Sequence, residues 1–590
     1  MAASPEDNTA GPIGFTIKID GKAIPDQLLV QSIRVLHELN RIPEATFTVL
    51  SNAPLAVDFD ALDMPEFSLG GAVEIAGFYG DGDEQLLFKG IIVTNRVRLD
   101  GQRGTQMELT CRHKAIALTE VRSSQPYQDM TDSDVMKEII TGAGLTADVE
   151  AIKQSQPLNL RIGATDWDFL RLLADRNGQV LALEEDKIEA KPPTTPPTPV
   201  LTVTTGDDVL ELDISVDAHR MIGSSETRSW SESEQKVLDG SSNSSSLTLP
   251  GNTSAKNIAK VLSARTHVSS TAREYSEVEL GDLADARMSR AVLGAVRGTI
   301  KFQGSGAIKP MNMIEIMGLG HRFGGTGFVT AVEQKIEGGK WSTQVRLGLP
   351  QDWTSDSMGL AAPAAEALTT PIYGLQVGKV LKLFDSEKGT QCIQVKLPMI
   401  GSPEGAEVWA RFASPYAADG FGIQFLPEIG DEVLVGFLNA DPNAPVVVGS
   451  LHNAKAMRPT KVGDDENNIK TIKTRSELQL TFDDENMIIT AETPAGQMIV
   501  MDDTAKEVRI EDVNGNSIVM DSSGITLKSD KDITLSAGGK VTAEATADAM
   551  VKGLNVTCDA SAAFTGKGAS TAEVSAGGQT TVKGGMVMIN

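Results

Sequence analysis

From Gly524 onward the chain alternates apolar and polar positions in short units punctuated by glycine. Ile525, Ile533 and Val541 recur at intervals of eight, as do Leu527, Leu535, Ala543 and Val551. Past Lys552-Gly553 the phase shifts, and Val556, Phe564 and Ala572 resume the spacing. Alternation inside each unit predicts strands. A short fixed period with glycine at the corners predicts a repetitive β structure such as a β-helix. Units this short, with side chains this small, cannot bury a face alone, and their open edges invite pairing with other chains. The pattern therefore predicts several identical chains wound into a rigid shaft. A disordered tail is the competing prediction, but such tails are rich in proline and charge. Here no proline follows Pro494, and Phe564 is the only aromatic after Phe482.

Upstream the pattern changes. Residues 13–120 contain strand-like runs such as Gly14–Ile19, Ala45–Leu50, Ala72–Ile75 and Leu87–Val93, separated by turn clusters at Asp81-Gly82-Asp83 and Asp100-Gly101; this predicts a β-barrel. Thr131 with Asp134 three residues later opens a helix carrying Val135, Met136, Ile139 and Ile140, which Gly142 and Gly144 end. A second helix is predicted over Asp166–Asn177, with Gly178 as its left-handed stop. Residues 192–199 are proline-rich and read as a connector, 240–255 as an exposed Ser-rich loop, and 280–294 as a helix. Strands return from Gly298 to Leu349. Met358–Thr370 is Ala/Pro-rich without period and marks a boundary. Five β runs follow, at Gly374–Leu383, Cys392–Leu397, Val408–Phe412, Glu432–Phe437 and Pro445–Ser450, which at this spacing predict a small OB-like barrel. The expected division is 1–357, a linker at 358–371, the OB barrel at 372–453, a linker at 454–469, and the shaft at 470–590. The fold class is mainly β, with tandem barrels and inserted helices ahead of the OB barrel and shaft.

Composition narrows the function. A net charge of −26 lacks the basic footprint that nucleic acid or an anionic membrane surface requires. The OB-like segment itself, 372–453, holds five Lys/Arg against nine Asp/Glu, so oligonucleotide binding is not expected there despite Trp409 and Tyr416. Cys111, Cys392 and Cys558 are far apart and predict neither a zinc site nor a disulfide framework. The N-terminus carries Glu6 and Asp7 with no apolar run, so no secretory signal is expected. No apolar stretch approaches the roughly 18 residues of a membrane helix. Synthesis in the cytoplasm, with release or delivery by another route, is the expectation.

The OB-like segment also carries a specific resemblance. Val395–Pro398, Trp409-Ala410-Arg411, Phe421–Phe437 and Asp441–Asn453 resemble the VgrG spike proteins, with Pro427, Gly430, Glu432, Asp441, Pro442, Pro445, Gly449 and Asn453 on the family motif. Glu428-Ile429-Gly430-Asp431 departs mildly from the usual x-V-G-x. Asn40–Ala45, Thr165–Leu170 through Asn177-Gly178, and Lys340–Thr343 resemble the family's hub half, which is similar to the central hub of contractile phage tails. The resemblance implies a homotrimeric spike of a contractile injection machine. Its hub adapts the tube to the needle, its OB domain forms a collar, and its shaft is an intertwined trimeric β-helix that punctures the target membrane. Inner-tube and baseplate proteins and cargo effectors are the implied partners. A type VI secretion tip of the same fold is one alternative, and the compact Asn40–Pro43 and Asp132–Val135 patterns look more like a free extracellular particle. A receptor-binding tailspike or adhesin is the other, and would call for exposed aromatics on the shaft. The apolar end Met586, Val587, Met588 and Ile589 is where the family carries a PAAR-like cap.

Catalysis and cofactors are not expected. No enzyme-sized segment separates the OB barrel from the shaft or follows it. The carboxylates Asp483-Asp484-Glu485 and Asp502-Asp503 read as turn residues. Gly318, Gly320, Gly324, Gly325 and Gly327 lie between two strand-like runs, which fits a hairpin better than a phosphate loop. His37, His113, His219, His267, His321 and His452 are isolated in sequence, and no metal site is expected.

Overall fold

A computed structural model describes residues 3–8, 11–50, 63–100, 104–196, 198–231, 234–271, 273–350, 352, 370–384, 391–400, 405–460 and 465–589. The Ala/Pro-rich boundary at 358–371 lies almost wholly outside the described residues, as do residues 461–464 of the second linker and Asn590. The chain divides into two units, Met1–Gly449 and Ser450–Asn590.

In the first unit the predicted barrels share one continuous thirteen-stranded sheet. The strand Gly325–Glu337 joins its two halves, pairing antiparallel with Leu29–Glu38 on one side and Lys340–Leu347 on the other. Two cores result. Val35, Phe47, Ile75, Phe88 and Leu109 fill the first. Val203, Ile300, Phe302, Ile314 and Val345 fill the second. The motif residue Trp341 stacks on Tyr79 at 5.1 Å between centroids and donates its indole N–H to Gln334 at 2.9 Å. That satisfied bond is what lets an indole be buried.

The predicted helices form where their caps stand. Thr131 accepts from the Asp134 N–H at the start of Asp132–Gly142, and Thr165 from the Asp168 N–H at the start of Asp166–Arg176. Gly178 follows the second helix at φ 65°. Both helices pack on the hairpin Val180–Glu184/Lys187–Lys191 to form a third core. The helix Glu277–Leu293 carries a full capping box from Ser276 and Glu279.

The stretch 240–255 is not the loop the sequence predicts throughout. Gly240–Ser242 end the strand Lys236–Ser242, and a short helix, Ala255–Val261, begins at its far end. Gly240 is the reason: a Cβ there would lie 2.1 Å from the Gly281 nitrogen. A residue that reads as a turn former serves instead for close approach of helix and sheet. The glycine cluster does link two antiparallel strands, Met313–Met317 and Gly325–Glu337, with a helical turn, Gly320–Phe323, between them.

Gln376–Lys382, Cys392–Leu397, Ala406–Phe412, Glu432–Phe437 and Pro445–Ser450 close into a five-stranded barrel around Val380, Val395, Ala410, Val433 and Val447. In the second unit, Ile469–Lys473, Gln479–Asp483, Ile488–Glu492, Met498–Asp502, Glu507–Glu511, Ser517–Asp521 and Gly524–Lys528 pair in chain order as one antiparallel meander. Up to Lys528, then, pairing in the expected shaft is within the chain. Beyond it come six-residue stretches without regular secondary structure, separated by bends at 538–539, 546–547, 554, 561–562, 569–570, 577–578 and 585–586. The step from 554 to 561 is one residue short, and it coincides with the phase shift at Lys552-Gly553.

Candidate functional site

The family-motif residues of the barrel sit where the chain reverses. Gly430 has φ 96°, and its N–H donates to the Val380 carbonyl at 2.8 Å. The Asp431 side chain closes the same turn by accepting from the Glu428 N–H at 2.8 Å. Glu432 then opens its strand opposite Lys379. Pro427 and Pro445 are buried. Asp441 accepts from the Asn443 N–H at 2.8 Å and side-chain amide at 3.0 Å, which fixes the Asp441-Pro442-Asn443 loop between two barrel strands. The Asn453 side chain accepts from the Lys455 and Ala456 N–H groups, both at 2.8 Å, at the barrel exit. Gly449 lies near the end of the last strand with open space where a Cβ would stand. These residues thus build turns; they do not converge on a pocket.

What the barrel leaves exposed is apolar. Between its third strand and the Gly430 turn, Tyr416, Phe421, Ile423, Phe425, Leu426 and Ile429 are all solvent-facing, with Tyr416 edge-on to Phe421 at 5.9 Å. Trp409 is half-buried in the barrel wall.

The meander concentrates the same property. Its register aligns Thr471, Thr481, Thr490, Val500, Arg509, Val519 and Thr526 in one row across all seven strands. Because side chains alternate faces, the other face carries Ile472, Leu480 and Phe482, then Ile489, Ile499 and Met501, then Val508, Ile510, Ile518, Met520, Ile525 and Leu527. Ile499 and Met501 are nearly half exposed, and Ile525 and Leu527 more than half. Downstream, residues 530–589 are exposed without exception among those described. Leu554 is 100% exposed, and at the end Met586, Met588 and Ile589 are each more than 80% exposed, with Val587 about half exposed.

Two of the carboxylates singled out by sequence, Asp483 and Asp502, are engaged in turns, and Asp484 pairs with Lys470. Asp483 accepts from the Asn486 N–H at 3.0 Å and amide at 2.9 Å, and Asp502 from the Ala505 N–H at 2.7 Å. Asp512 accepts from both Asn514 and Asn516, and these bonds hold its carboxyl down to about 2. Among the described residues no group of three or more His, Cys, Asp or Glu could hold a metal. Nor is any helix among them long and apolar enough to cross a membrane. Burial pushes the Cys111 thiol up to about 12; Cys392 is half-buried and Cys558 exposed. His321 lies exposed, His219 bonds Asp217 at 2.7 Å, and His452 sits in the barrel-exit turn.

Sequence reasoning did not find two side-chain clusters. Asp132, on the first helix, accepts from Arg176, Asn159 and Asn177 and is buried among them. His37 and His113 meet one turn from the hairpin. Both clusters join groups more than twenty residues apart, which no local pattern announces.

Comparison with known proteins matches residues 9–338 to the family of the Alg8 N-terminal domain, and residues 376–452 to the type VI secretion system/phage-baseplate injector OB domain. The type VI secretion system spike protein VgrG3 of Vibrio cholerae is 35% identical over 63 residues, 11% of this chain and 6% of that protein. The actin cross-linking toxin VgrG1 of Vibrio cholerae is 33% identical over 69 residues, 12% of this chain and 6% of that protein. The chain therefore spans a small part of these curated relatives. The 43 kDa tail protein of prophage MuSo2 from Shewanella oneidensis aligns at a TM-score of 0.43 and 10% identity, over 57% of this chain and 99% of that one.

Proposed function

The chain belongs to the family of the Alg8 N-terminal domain, and from that premise we propose that it is the homotrimeric central spike of a phage-tail-like contractile injection machine. The observation that carries the reading is the second unit: a continuous apolar face and an eight-residue β repeat, both uncovered in one chain. Three copies turning their meander faces to a common axis would bury that face. Downstream, the stretches between bends in each copy would supply the strand neighbours the others lack. The matched injector OB domain lies immediately ahead of this segment, as a collar would, and the first unit would meet tube and baseplate proteins.

The mechanism is mechanical. Sheath contraction drives the needle through a membrane. The whole chain carries −26, yet residues 524–590 hold six Lys and six Asp/Glu, so the part that enters first carries no net charge into a low-dielectric layer. The role requires no catalytic group, and Asp483, Asp502 and Asp512 are already engaged in turns. Met586–Ile589 would seat a small PAAR-like cap. Burial of such side chains is worth about 1.5–3 kcal/mol each, so Met588→Asp with Ile589→Asp should abolish capping and leave the oligomer intact; unchanged capping would move the cap site elsewhere.

The test of the function is a strain producing the chain without residues 450–590. Particles should lack the distal spike in electron micrographs and fail to breach target membranes. Wild-type membrane entry by such particles would overturn the proposal.

A further inference from the structure

The turn Glu185-Asp186 of the hairpin 180–191 is the point where the helical core docks on the first β core. Glu185 holds φ 51°, a conformation a non-glycine residue keeps only when its surroundings fix it. Four sets of contacts do so. His113 Nε2 donates to the Glu185 carbonyl at 2.6 Å. Asp186 pairs with Lys89 at 2.5 Å and Lys114 at 3.2 Å. Lys309 pairs with Glu184. Asn40 exchanges two 2.8 Å bonds with Leu181. His37 lies beside them, with Nε2 2.9 Å from the Leu87 carbonyl, on the wall of a cavity of about 110 Å³ shared with Glu184, Glu185, Lys89 and Lys309.

His113 has no free ring position. Its Nδ1 accepts from the Ala115 N–H at 3.1 Å, capping the short helix Lys114–Thr119, while Nε2–H holds Glu185. A second proton would occupy the acceptor nitrogen and set two donors face to face. It would also place a cation in a buried site beside Lys114 and His37, with Asp186 the one nearby anion favouring it. His37 differs in its partners: burial and Lys309 oppose its protonation, while the Leu87 and Leu183 carbonyls favour it, and Glu184, Glu185 and Glu189 line its cavity.

We infer that His37 and His113 make the docking of the 180–191 hairpin acid-sensitive, so that proton uptake by the two rings releases the Glu185-Asp186 turn from the first β core. The sign follows from the direction of both shifts. Burial lowers His37 below 6.5 and takes His113 to about 4. The undocked state therefore binds protons more tightly. The contribution is complete above the free value and lost as pH falls through 6.5 towards 4. From His113 alone, docking should weaken roughly 60-fold between pH 7 and 4.5, and His37 adds to this.

Hydrogen exchange followed by mass spectrometry on the full-length protein tests it, with rates corrected for intrinsic pH dependence. Protection of peptides covering 180–191 should fall by at least that factor between pH 7 and 4.5, while that of the core strand Glu44–Leu50 holds. His113→Gln with His37→Gln should flatten the profile, because Gln retains an N–H donor and does not titrate. Asp186→Asn should lower protection at both pH values and keep or steepen the fall between them, because Asp186 favours the protonated His113 ring. Equal protection at the two pH values in the unmodified protein would overturn the inference, and this arm needs no variant to fold. So would a slope that survives the double Gln variant or disappears in Asp186→Asn.

Discussion

Residues up to Gly449 and residues from Ser450 on treat apolar surface in opposite ways. In the first unit the large sheet and the barrel close over cores of their own: Phe47, Phe88, Ile300 and Val395 are each 2% exposed or less. In the second, Val500 is the one buried apolar side chain among the described residues, although apolar positions recur in every strand. Both units obey the same alternation. The difference is in how many layers one chain supplies. A sheet buries a face only against a second layer, and the described residues of the second unit form a single sheet followed by segments that belong to no sheet. On the trimer proposed above, its hydrophobic term comes from other copies, so its stability should depend on concentration, whereas that of the first unit should not.

The largest effect that distinguishes the two is expected on the meander face. Ile499→Asp with Met501→Asp should lose about 1.5–3 kcal/mol per side chain in every copy, enough to dissociate the assembly while the first unit keeps its melting temperature. Thr481→Asp with Thr490→Asp, on the opposite face, should leave assembly intact. Sedimentation velocity reads both. Next comes Asp132→Ala, which strands Arg176 without its buried carboxylate. Removing one partner of such a pair costs about 3–5 kcal/mol. Denaturant unfolding should show this loss in the first unit at every protein concentration, with the assembly of the second unit unchanged.

How much of this contrast could be read from the sequence depends on the range of the interaction. Thr131 announces its helix because a cap and its N–H partner lie three residues apart, and Gly178 announces the end of the next. The eight-residue period of residues 524–590 is legible down to its phase slip, since the bends of the chain fall at the same spacing. The five barrel runs are legible because turn residues such as Gly430 and Asp441 punctuate them. Three features were not. Gly240 looks like a loop residue until the helix that passes over it is known. The meander's apolar face emerges only from a register that aligns Ile489 with Met501 and Ile499 with Ile510. His37 and His113 stand 76 positions apart in the sequence and share the Glu185 turn only after the helical core has docked.

Smaller effects sharpen the comparison. Gly430→Ala forces a side chain to φ 96° and should cost about 1–3 kcal/mol, seen as a lower melting temperature of the barrel alone. Acid should act on the two units in different windows. The His113 contribution in the first unit fades from pH 6.5 towards 4. In the second, the Asp512 carboxyl is held at about 2 against an ordinary 3.8, so its contribution is complete above 3.8 and is lost as pH falls from there towards 2. Circular dichroism melts of the second unit at pH 5 and pH 2.5 should therefore differ modestly, and Asn replacement of Asp512 should reduce that difference.

The central claim is that the second unit is completed only by other copies of the chain. Sedimentation equilibrium of the full-length protein tests it most directly. The account predicts a single species at three times the 62.6 kDa of one chain, persisting to nanomolar concentration. A folded species at 62.6 kDa that retains the meander's strand signal would contradict it.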